Sequence, residues 1–232
     1  AVGQLLLQLD GILSHLGGGH LQKDAQLLWG QSLSLAHFAL TPFPFFHPYA
    51  KVEEDIPGPK AGLKDRNGKE YTAMRIIVMS DSHGSVSRVR QIFEEEPGAE
   101  LYLHLGDGAA DFVKAGWLFP STTRMGVLGN CDFSRELALP KTGLVELGGK
   151  RIFYTHGDLY RVKHGLEEIE AAGREKEADI VLYGHTHTAL QEYREGLWLL
   201  NPGSVLDSSH TPAGYLALDL TPAGIVPVFK KF

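Results

Sequence analysis

The sequence predicts a mixed α/β fold in which helices and β-sheets are stacked in layers. From Met74 onward, runs of β-forming residues alternate with stretches of helical periodicity, starting with RIIVMS at 75–80 and a helical stretch at 86–96. After Thr188, shorter alternating runs follow one another as in a β-meander. Strand–helix alternation that ends in a meander is typical of a layered sandwich.

Each strand predicted in the alternating part has an apolar core. An amphipathic helix from about Val162 to Lys176 is predicted between the last two strands. The five strands are RIIVMS at 75–80, ELYLHLGD at 100–107, TRMGVLGN at 123–130, KRIFYTHG at 150–157 and ADIVLYGH at 178–185.

The final part of the chain is β-like throughout. The segment 189–201 predicts a hairpin that turns at Glu195 and Gly196, because alternating residues flank these two positions. The segments GYLALDL at 214–220 and AGIVPVFKKF at 223–232 are predicted as further strands.

The first 73 residues differ from the rest in their pattern of apolar residues and prolines. The sequence therefore predicts an extension over 1–73 and a main domain over 74–232. Apolar residues recur at helical spacing on both sides of GGG at 17–19, which favours a helical hairpin. The prolines between Pro42 and Pro59 break this periodicity, as in a linker or an irregular arm.

The composition is that of a globular protein, with 43% apolar and 22% charged residues. The formal net charge of −6 lacks the basic character of a nucleic-acid binder. A single cysteine, Cys131, excludes an intrachain disulfide and favours a reducing compartment, so we expect a cytoplasmic protein. No uninterrupted apolar run approaches the roughly 18 residues of a membrane span, so no membrane association is expected.

Polar side chains that can bind metal ions follow all five predicted strands, usually beside a glycine. Ligands of α/β proteins collect at the carboxyl ends of strands, so we expect these side chains to converge. Each motif alone is most often a turn or a surface loop, but five of them in the same position indicate a metal site. The candidates are Asp81, His83, Asp107, Asn130, His156, His185 and His187.

The number and type of these ligands predict two divalent cations. Seven oxygen and nitrogen donors are more than one transition ion needs, and the mixture suits manganese, iron or zinc better than a thiolate site would. Two such ions share a hydroxide and stabilise both the attacking and the leaving oxygen of an in-line displacement. A phosphate ester is therefore the expected substrate.

The motifs DSHG, GDG, GNCD, THG and GHTH, with NPGS at 201–204, resemble the calcineurin-like metallophosphoesterase superfamily. Within it, the chain is most similar to the small bacterial and archaeal phosphodiesterases of the YfcE-like branch. The resemblance covers residues 74–232 and implies a four-layered α-β-β-α sandwich around two mixed β-sheets. It does not cover residues 1–73, for which a lineage-specific extension, a gene-model artefact and a docking helical hairpin stay open.

The resemblance also implies a role for each candidate residue. Manganese is the commonest metal of the family, with nickel, iron, cobalt or zinc as other occupants. Asp107, Asn130 and His156 are also the expected catalytic residues. The implied ligands are Asp81, His83 and His187 for the first cation and Asn130, His156 and His185 for the second, with Asp107 bridging the two.

Two positions depart from the family pattern. Phosphomonoesterases and nucleases of the superfamily typically carry a histidine where this chain has Cys131. A neutral thiol is a poor acid, so hydrolysis should favour leaving groups that need little protonation. We expect Cys131 to be buried, with no redox or nucleophilic role. Many relatives carry a second histidine where this chain has Asp158, which is expected to accept a hydrogen bond from a ligand imidazole.

The preferred interpretation is a phosphodiesterase that acts on a small phosphodiester. The protein could also form a homo-oligomer. The alternative is a catalytically weak scaffold for protein assembly, because the retromer complex contains a subunit of this fold. Hydrolysis of dinucleoside polyphosphates or phosphoproteins would be expected to bring a histidine into GNCD and arginines beside the aspartate motifs. A nucleophile-based esterase ranks low, because no serine has an adjacent histidine base.

Other polar residues near these motifs have weaker predictions. His104 should pack inside the sheet, because it alternates away from Asp107 along its strand. The basic residues at 161–164 could steer an anionic substrate or form a solvated helix start. Asp132 could hold the loop of Asn130 or lie on the surface.

Overall fold

The computed structural model describes residues 63–64, 70–71, 73–133, 137–208, 211–221 and 223–232. The predicted helical hairpin and the proline-rich segment lie outside these residues. A short two-stranded sheet is formed by β1 (Leu63–Lys64) and β2 (Glu70–Tyr71). The rest of the described chain forms two five-stranded sheets and the helices that cover them.

The first sheet holds three parallel strands at one side and two antiparallel strands at the other, in the order β12-β11-β3-β4-β5. The parallel strands lie side by side, so their carboxyl ends share one edge of the sheet. The strands are β3 (Met74–Met79), β4 (Leu101–His104), β5 (Arg124–Gly126), β11 (Gly214–Thr221) and β12 (Gly224–Lys231).

The second sheet is also mixed, in the order β6-β7-β8-β10-β9. Its three central strands, β7, β8 and β10, are parallel, and both edge strands are antiparallel to their neighbours. The strands are β6 (Thr142–Leu147), β7 (Lys150–Thr155), β8 (Ile180–Leu182), β9 (Ala189–Arg194) and β10 (Leu197–Pro202).

Three helices cover the outer faces of the two sheets. Helices α1 (Val86–Glu95) and α2 (Ala109–Gly116) follow β3 and β4, and α3 (Glu167–Glu175) follows β7. A short 3-10 turn at Asp158–Tyr160 lies between β7 and α3. Among the described residues, no helix combines the length and the apolar character needed to cross a lipid bilayer.

The period of two along the strands builds the layers. On β3, Ile76 and Val78 point into the core between the two sheets, and Ile77 and Met79 point outward into the core under α1 and α2. A third cluster packs the outer face of the second sheet against Ile169 of α3. Each large side chain buried in this way contributes about 1.5–3 kcal/mol. The predicted four-layered α-β-β-α sandwich with two mixed sheets is confirmed.

The structure differs from the sequence prediction at several boundaries. The strand predicted at 123–130 ends at Gly126, and α3 begins at Glu167 and not at Val162, after Gly165 with φ +159°. Strand β6 was not predicted. It pairs with β7 through a tight turn at Gly148 and Gly149, whose φ values of +57° and +67° suit glycine.

Helix α2 was also not predicted. Its eight residues have no side-chain cap from their own N-cap position, Gly108. The amide groups at its start are instead bonded by Asp132, which lies 23 and more residues away along the chain. A local sequence pattern therefore gives little sign of where this helix begins.

Candidate metal centre

The seven candidate ligands come together at one end of the two sheets. They follow β3, β4 and β5 of the first sheet and β7 and β8 of the second, so the carboxyl ends of five strands lie close together. The groups that could hold an ion include Asp81–His83–His187 and Asp107–His156–His185, and Asn130 contacts His156. The prediction that these side chains converge agrees with this geometry.

One half of the site consists of Asp81, His83 and His187. The Nε2 atoms of the two histidines lie 3.3 Å apart. Oδ1 of Asp81 lies 3.1 Å from Nε2 of His187 and 3.8 Å from Nε2 of His83. The carboxylate is fully buried, and the two imidazoles are about one third exposed, at 32% and 38%. This half therefore opens toward solvent above a buried carboxylate.

The other half consists of Asn130, His156 and His185. Nε2 of His156 lies 3.2 Å from Oδ1 of Asn130 and 3.1 Å from Nδ1 of His185. The His156 ring is buried, and its Nδ1 lies 2.8 Å from the carbonyl oxygen of Leu105. That contact fits a protonated Nδ1, which leaves the lone pair of Nε2 directed into the site.

Asp107 lies between the two halves. Its Oδ2 is 3.3 Å from Nε2 of His156 and 3.9 Å from Nε2 of His83. Its other oxygen, Oδ1, accepts a hydrogen bond of 2.7 Å from the backbone N–H of Cys131. One carboxylate oxygen of Asp107 thus lies within 4 Å of an imidazole of each half.

The chemistry of these donors fits divalent cations. Oδ1 of Asp81 is buried and faces imidazole nitrogens, so it lies in a position that is costly for a carboxylate oxygen unless positive charge approaches it. In each half of the site, two imidazole nitrogens face each other, at 3.3 Å and 3.1 Å. Only a positive ion or a shared proton can satisfy the lone pairs of both nitrogens in such a pair. Carboxylate, amide and imidazole donors together match first-row transition ions.

Strained backbone is concentrated at this site. Asp81, His83, Asp107, His185 and His187 have φ values of +56°, +40°, +54°, +67° and +59°. Side chains in this left-handed region cost about 1–2 kcal/mol each, and such strain gathers at functional sites. Nothing in the local sequence indicated these conformations, apart from the glycines that flank the ligands.

The ionisation of the site carboxylates is set by opposing effects. Burial disfavours the charge on Asp107, but the His156 imidazole and the Cys131 amide outweigh it and hold the pKa of this carboxyl below its usual range. Burial likewise opposes the charge on Asp81, where His187 and His156 lower the pKa. Burial alone would lower the pKa of His156, but Asp107 and Asp81 raise it. Both carboxylates are therefore ready to face a cation.

Polar residues of neighbouring loops fix the half that contains Asp81. Oδ2 of Asp81 accepts hydrogen bonds from Ser80 Oγ at 2.6 Å and from the His185 amide at 3.1 Å. Asn201, in the NPGS motif, donates from Nδ2 to the carbonyl oxygen of Gly184 at 2.9 Å. Ser204 Oγ of the same motif donates to the backbone oxygen of Asp81 at 2.9 Å. The motif thus anchors two ligand loops.

Two glycines leave room for the carboxylates. A Cβ atom at Gly129 would lie 2.1 Å from Oδ1 of Asp107 and 2.4 Å from its backbone nitrogen. A Cβ atom at Gly184 would lie 2.0 Å from Ser80 Oγ and 2.9 Å from Oδ2 of Asp81. Both glycines are required by close approach.

The predicted burial of Cys131 is wrong, because the side chain is exposed. The chain turns at the end of β5 so that its backbone N–H reaches Asp107, and this leaves the thiol at the mouth of the site. Sγ lies 3.2 Å from Nδ2 of Asn130. A hydrogen bond with Asp107 raises the pKa of the thiol, so it stays neutral near pH 7.

The remaining predictions near the site have mixed outcomes. His104 is buried as predicted, and burial lowers its pKa to about 4. Asp132 holds the site loops through hydrogen bonds to backbone amides. Oδ1 of Asp158 is buried and has no hydrogen bond within the described chain, so this oxygen does not accept from a ligand imidazole. Arg161 pairs with Glu168 on the surface.

Comparison with known proteins assigns the same part of the chain to one family. Residues 74–222 match the family model of the calcineurin-like phosphoesterase superfamily domain. The probable metallophosphoesterase YsnB of Bacillus subtilis is 32% identical over 133 residues, which are 57% of this chain and 75% of that protein. Phosphodiesterase YfcE of Escherichia coli is 30% identical over 168 residues, 63% of this chain and 88% of that protein.

Solved structures and a further relative extend this picture. The crystal structure of a predicted phosphoesterase from Streptococcus pneumoniae has a TM-score of 0.57 and 25% identity, and the match covers 68% of this chain and 99% of the other. Vacuolar protein sorting-associated protein 29 of Schizosaccharomyces pombe is 34% identical over 87 residues, 38% of this chain and 46% of that protein. The chain is therefore similar both to phosphoesterases and to part of a sorting protein.

Proposed function

The chain belongs to the calcineurin-like phosphoesterase superfamily, and from this premise we propose that it is a phosphodiesterase that hydrolyses small phosphodiesters with two divalent cations. The observation that carries the proposal is the position of Asp107 between two groups of ligands, 3.3 Å from His156 and 3.9 Å from His83. A carboxylate in this position suits a bridging ligand. Manganese is the proposed metal, with nickel, iron, cobalt or zinc as alternatives.

The proposed ligand sets follow the two halves of the site. When bound, such a pair of cations lowers the pKa of a shared water and offsets the charge that develops on the phosphoryl oxygens. The protein residues orient these groups in advance, since the buried carboxylates and the left-handed loops are fixed in the folded chain. The sets are Asp81, His83 and His187 for one cation and Asn130, His156 and His185 for the other, with Asp107 shared.

Three residues are proposed to take part in catalysis as well as in binding. Asp107 and His156 lie 3.3 Å apart, so they can share a proton as the reaction proceeds. The exposed amide of Asn130 lies at the mouth of the site, where its oxygen faces His156 and its nitrogen can donate to a phosphoryl oxygen.

The neutral Cys131 thiol limits the range of substrates. It lies where relatives with a histidine can protonate the leaving group, but a thiol with a raised pKa donates a proton poorly. Phosphodiesters with acidic leaving groups are therefore the favoured class.

The test combines metal analysis with a comparison of two substrates. The protein is purified, its metal content is measured, and hydrolysis of bis-p-nitrophenyl phosphate is compared with that of p-nitrophenyl phosphate in added Mn²⁺. We expect two metal ions per chain, a preference for the diester and loss of activity on chelation that Mn²⁺ restores. Full activity after exhaustive chelation, or a preference for the monoester, would contradict the proposal.

A scaffold function is the alternative, and the similarity to a sorting protein is the observation in its favour. All seven ligand positions hold metal-binding side chains in this chain, which favours the enzyme. A scaffold without catalysis would bind the metal but hydrolyse neither substrate.

The proposed catalytic domain is residues 74–232, and residues 1–73 are proposed as a separate extension in a cytoplasmic protein. The family match begins at residue 74, with the first strand that carries a ligand. Removal of residues 1–73 should leave the diesterase rate within about twofold, because all proposed ligands lie in the remaining part. A steady-state rate and a gel-filtration profile of the shortened chain check this. A large fall in rate would place the extension in the working enzyme.

A further inference from the structure

The carboxylate of Asp132 accepts four backbone hydrogen bonds from two loops of the site. Oδ1 accepts from the N–H groups of Gly108 and Ala109, both at 3.0 Å. Oδ2 accepts from the N–H groups of Asp107 and Gly129, both at 2.8 Å. One side chain therefore ties the loop after β4 to the loop after β5.

These bonds act on the backbone of two proposed ligands. Asp107 donates its own N–H to Asp132, and Gly129 immediately precedes Asn130. The amides at the start of α2 have no partner within the helix, and a negative charge is favourable at that end. The bonds therefore fix the separation of the two loops as well as the beginning of α2.

We propose that Asp132 is a positioning residue for the second cation, the one assigned to Asn130, His156 and His185, with Asp107 shared. The inference rests on the proposed two-cation function. Asp132 touches neither substrate nor metal. It sets the position of Asn130 and of the shared carboxylate through their backbones, so its loss weakens one cation selectively.

The geometry explains the selectivity. Asn130 belongs only to the second half, and Oδ2 of Asp107 lies closer to His156 than to His83, at 3.3 Å against 3.9 Å. The loop of His83 is held by a different carboxylate, since Oδ2 of Asp111 accepts from the Gly84 amide at 2.8 Å. The half that contains Asp81 thus has this bond in addition to the backbone bonds of 3.0 Å that the Asp81 and His83 amides donate to Gly106 and Asp107, whereas Asn130 depends on the loop that Asp132 holds directly.

Asp111 provides a matched control for the same chemical change. Asp132 uses both oxygens, so Asp132→Asn turns an amide NH₂ toward two N–H donors in either orientation of the side chain. Asp111 uses only Oδ2 for its bonds to Ser82 Oγ and to the Gly84 amide, at 2.7 and 2.8 Å. The amide oxygen of Asp111→Asn can keep both bonds.

The experiment is a titration of the metal-stripped, full-length chain with Mn²⁺ alone, followed by calorimetry, for the unmodified protein, Asp132→Asn and Asp111→Asn. We expect two Mn²⁺ ions to bind the unmodified protein. In Asp132→Asn the first ion should bind within about threefold of normal and the second about 10–100-fold more weakly, the range found for groups that orient ligands. Asp111→Asn should change both affinities less than about threefold.

A double variant tests whether the loss of affinity in Asp132→Asn belongs to one half of the site. His185→Ala removes a ligand of the second cation only, so adding Asp132→Asn to it should leave the affinity of the remaining ion unchanged. Thermal unfolding of each metal-free variant shows whether it folds. Normal binding of both ions by Asp132→Asn, or equal weakening of both, would overturn the inference. Fewer than two ions in the unmodified protein would instead overturn the two-cation proposal itself.

Discussion

The charged side chains at the two ends of strand β3 have different surroundings. At its start, Arg75 is paired with Asp219 through two hydrogen bonds of 2.7 and 2.9 Å, and with Glu96 at 3.2 Å. At its other end, the buried Oδ1 of Asp81 faces the imidazole nitrogens of His187 at 3.1 Å and of His83 at 3.8 Å. The two positions are six residues apart, or about 20 Å along an extended strand.

This difference separates charges that are paired within the fold from charges that are proposed to bind a cation. The pair at Arg75 is complete in itself, although it contributes only about 1 kcal/mol or less because Arg75 is 44% exposed. The carboxylates at the opposite end are buried, held on strained backbone and left facing imidazoles. Their arrangement lowers stability unless a cation joins them, which is typical of a binding site.

The largest expected effect comes from one substitution made at each end. Asp107→Asn removes the charge shared by both halves of the site, so kcat/KM for the diester should fall about a thousandfold. Asp219→Asn makes the same chemical change at the far end and should alter kcat/KM less than twofold. Steady-state kinetics at saturating Mn²⁺ provide the measurement.

The free energy of unfolding of the same two variants gives a second comparison of the two ends. Asp219→Asn should lower the free energy of unfolding by up to about 1 kcal/mol, as expected for a partly exposed ion pair. Mn²⁺ at 100 times its Kd should stabilise the unmodified protein and Asp219→Asn by about 2.7 kcal/mol for each bound ion, and Asp107→Asn much less. Comparable loss of activity in both variants would mean that the two ends are not functionally distinct.

Glycine substitutions should produce an intermediate effect. Gly129→Ala would place a methyl group 2.1 Å from Oδ1 of Asp107, so the carboxylate must move and kcat/KM should fall about a hundredfold. Gly98, at the opposite end, has φ +87°, and no atom lies within 4 Å of the position that a Cβ atom would take there. Gly98→Ala should therefore cost about 1 kcal/mol of stability through backbone strain and leave the rate unchanged.

Chemical denaturation and kinetics on the same two variants test this pair. The expected difference between the two ends of β3 would be contradicted if Gly98→Ala lowered the rate as much as Gly129→Ala. It would also fail if Gly129→Ala kept normal activity, because the site would then tolerate displacement of Asp107.

The sequence predicted where the candidate ligands lie in the fold, because each position depends on a local rule. A metal-binding residue after a strand lies at the carboxyl edge of the sheet whatever the neighbouring strands are, and all seven candidates followed this rule. The layers were predictable for a similar reason. Alternation along β3 assigns Ile76 and Ile77 to opposite faces before any partner is known.

Features that depend on distant parts of the chain were not predictable. Asp132 could have been a surface residue, because partners such as Asp107 and Gly108 lie 24 or 25 residues away. Cys131 was expected to be buried, since free cysteines usually are, but its amide is drawn to Asp107 and its thiol is left in solvent. The left-handed ligand backbones likewise follow from tertiary packing.

The smallest expected effect concerns Cys131, the exposed residue beside the buried carboxylates. Cys131→His would place an imidazole beside Asn130, where it can protonate a leaving oxygen that the neutral thiol cannot. Nitrophenyl leaving groups need little protonation, whereas alkyl alkoxides need a great deal. The rate with a dialkyl phosphate, whose leaving group is an alkoxide, should rise several-fold, and the rate with bis-p-nitrophenyl phosphate should change less than twofold.

Cys131→Ser is the control, because it keeps a small neutral group in this position and should change neither rate by more than about twofold. Residue 131 is exposed, and its backbone N–H donates to Asp107 whatever the side chain, so both variants should keep the shared carboxylate in place after the thiol is replaced. Equal gains on the two substrates would mean that the imidazole acts on the transition state as a charge and not as an acid. The opposite end of β3 offers no such position, because Arg75 is already paired there with Asp219 and Glu96. A new acid can therefore alter the chemistry only at the end of β3 that carries the candidate ligands.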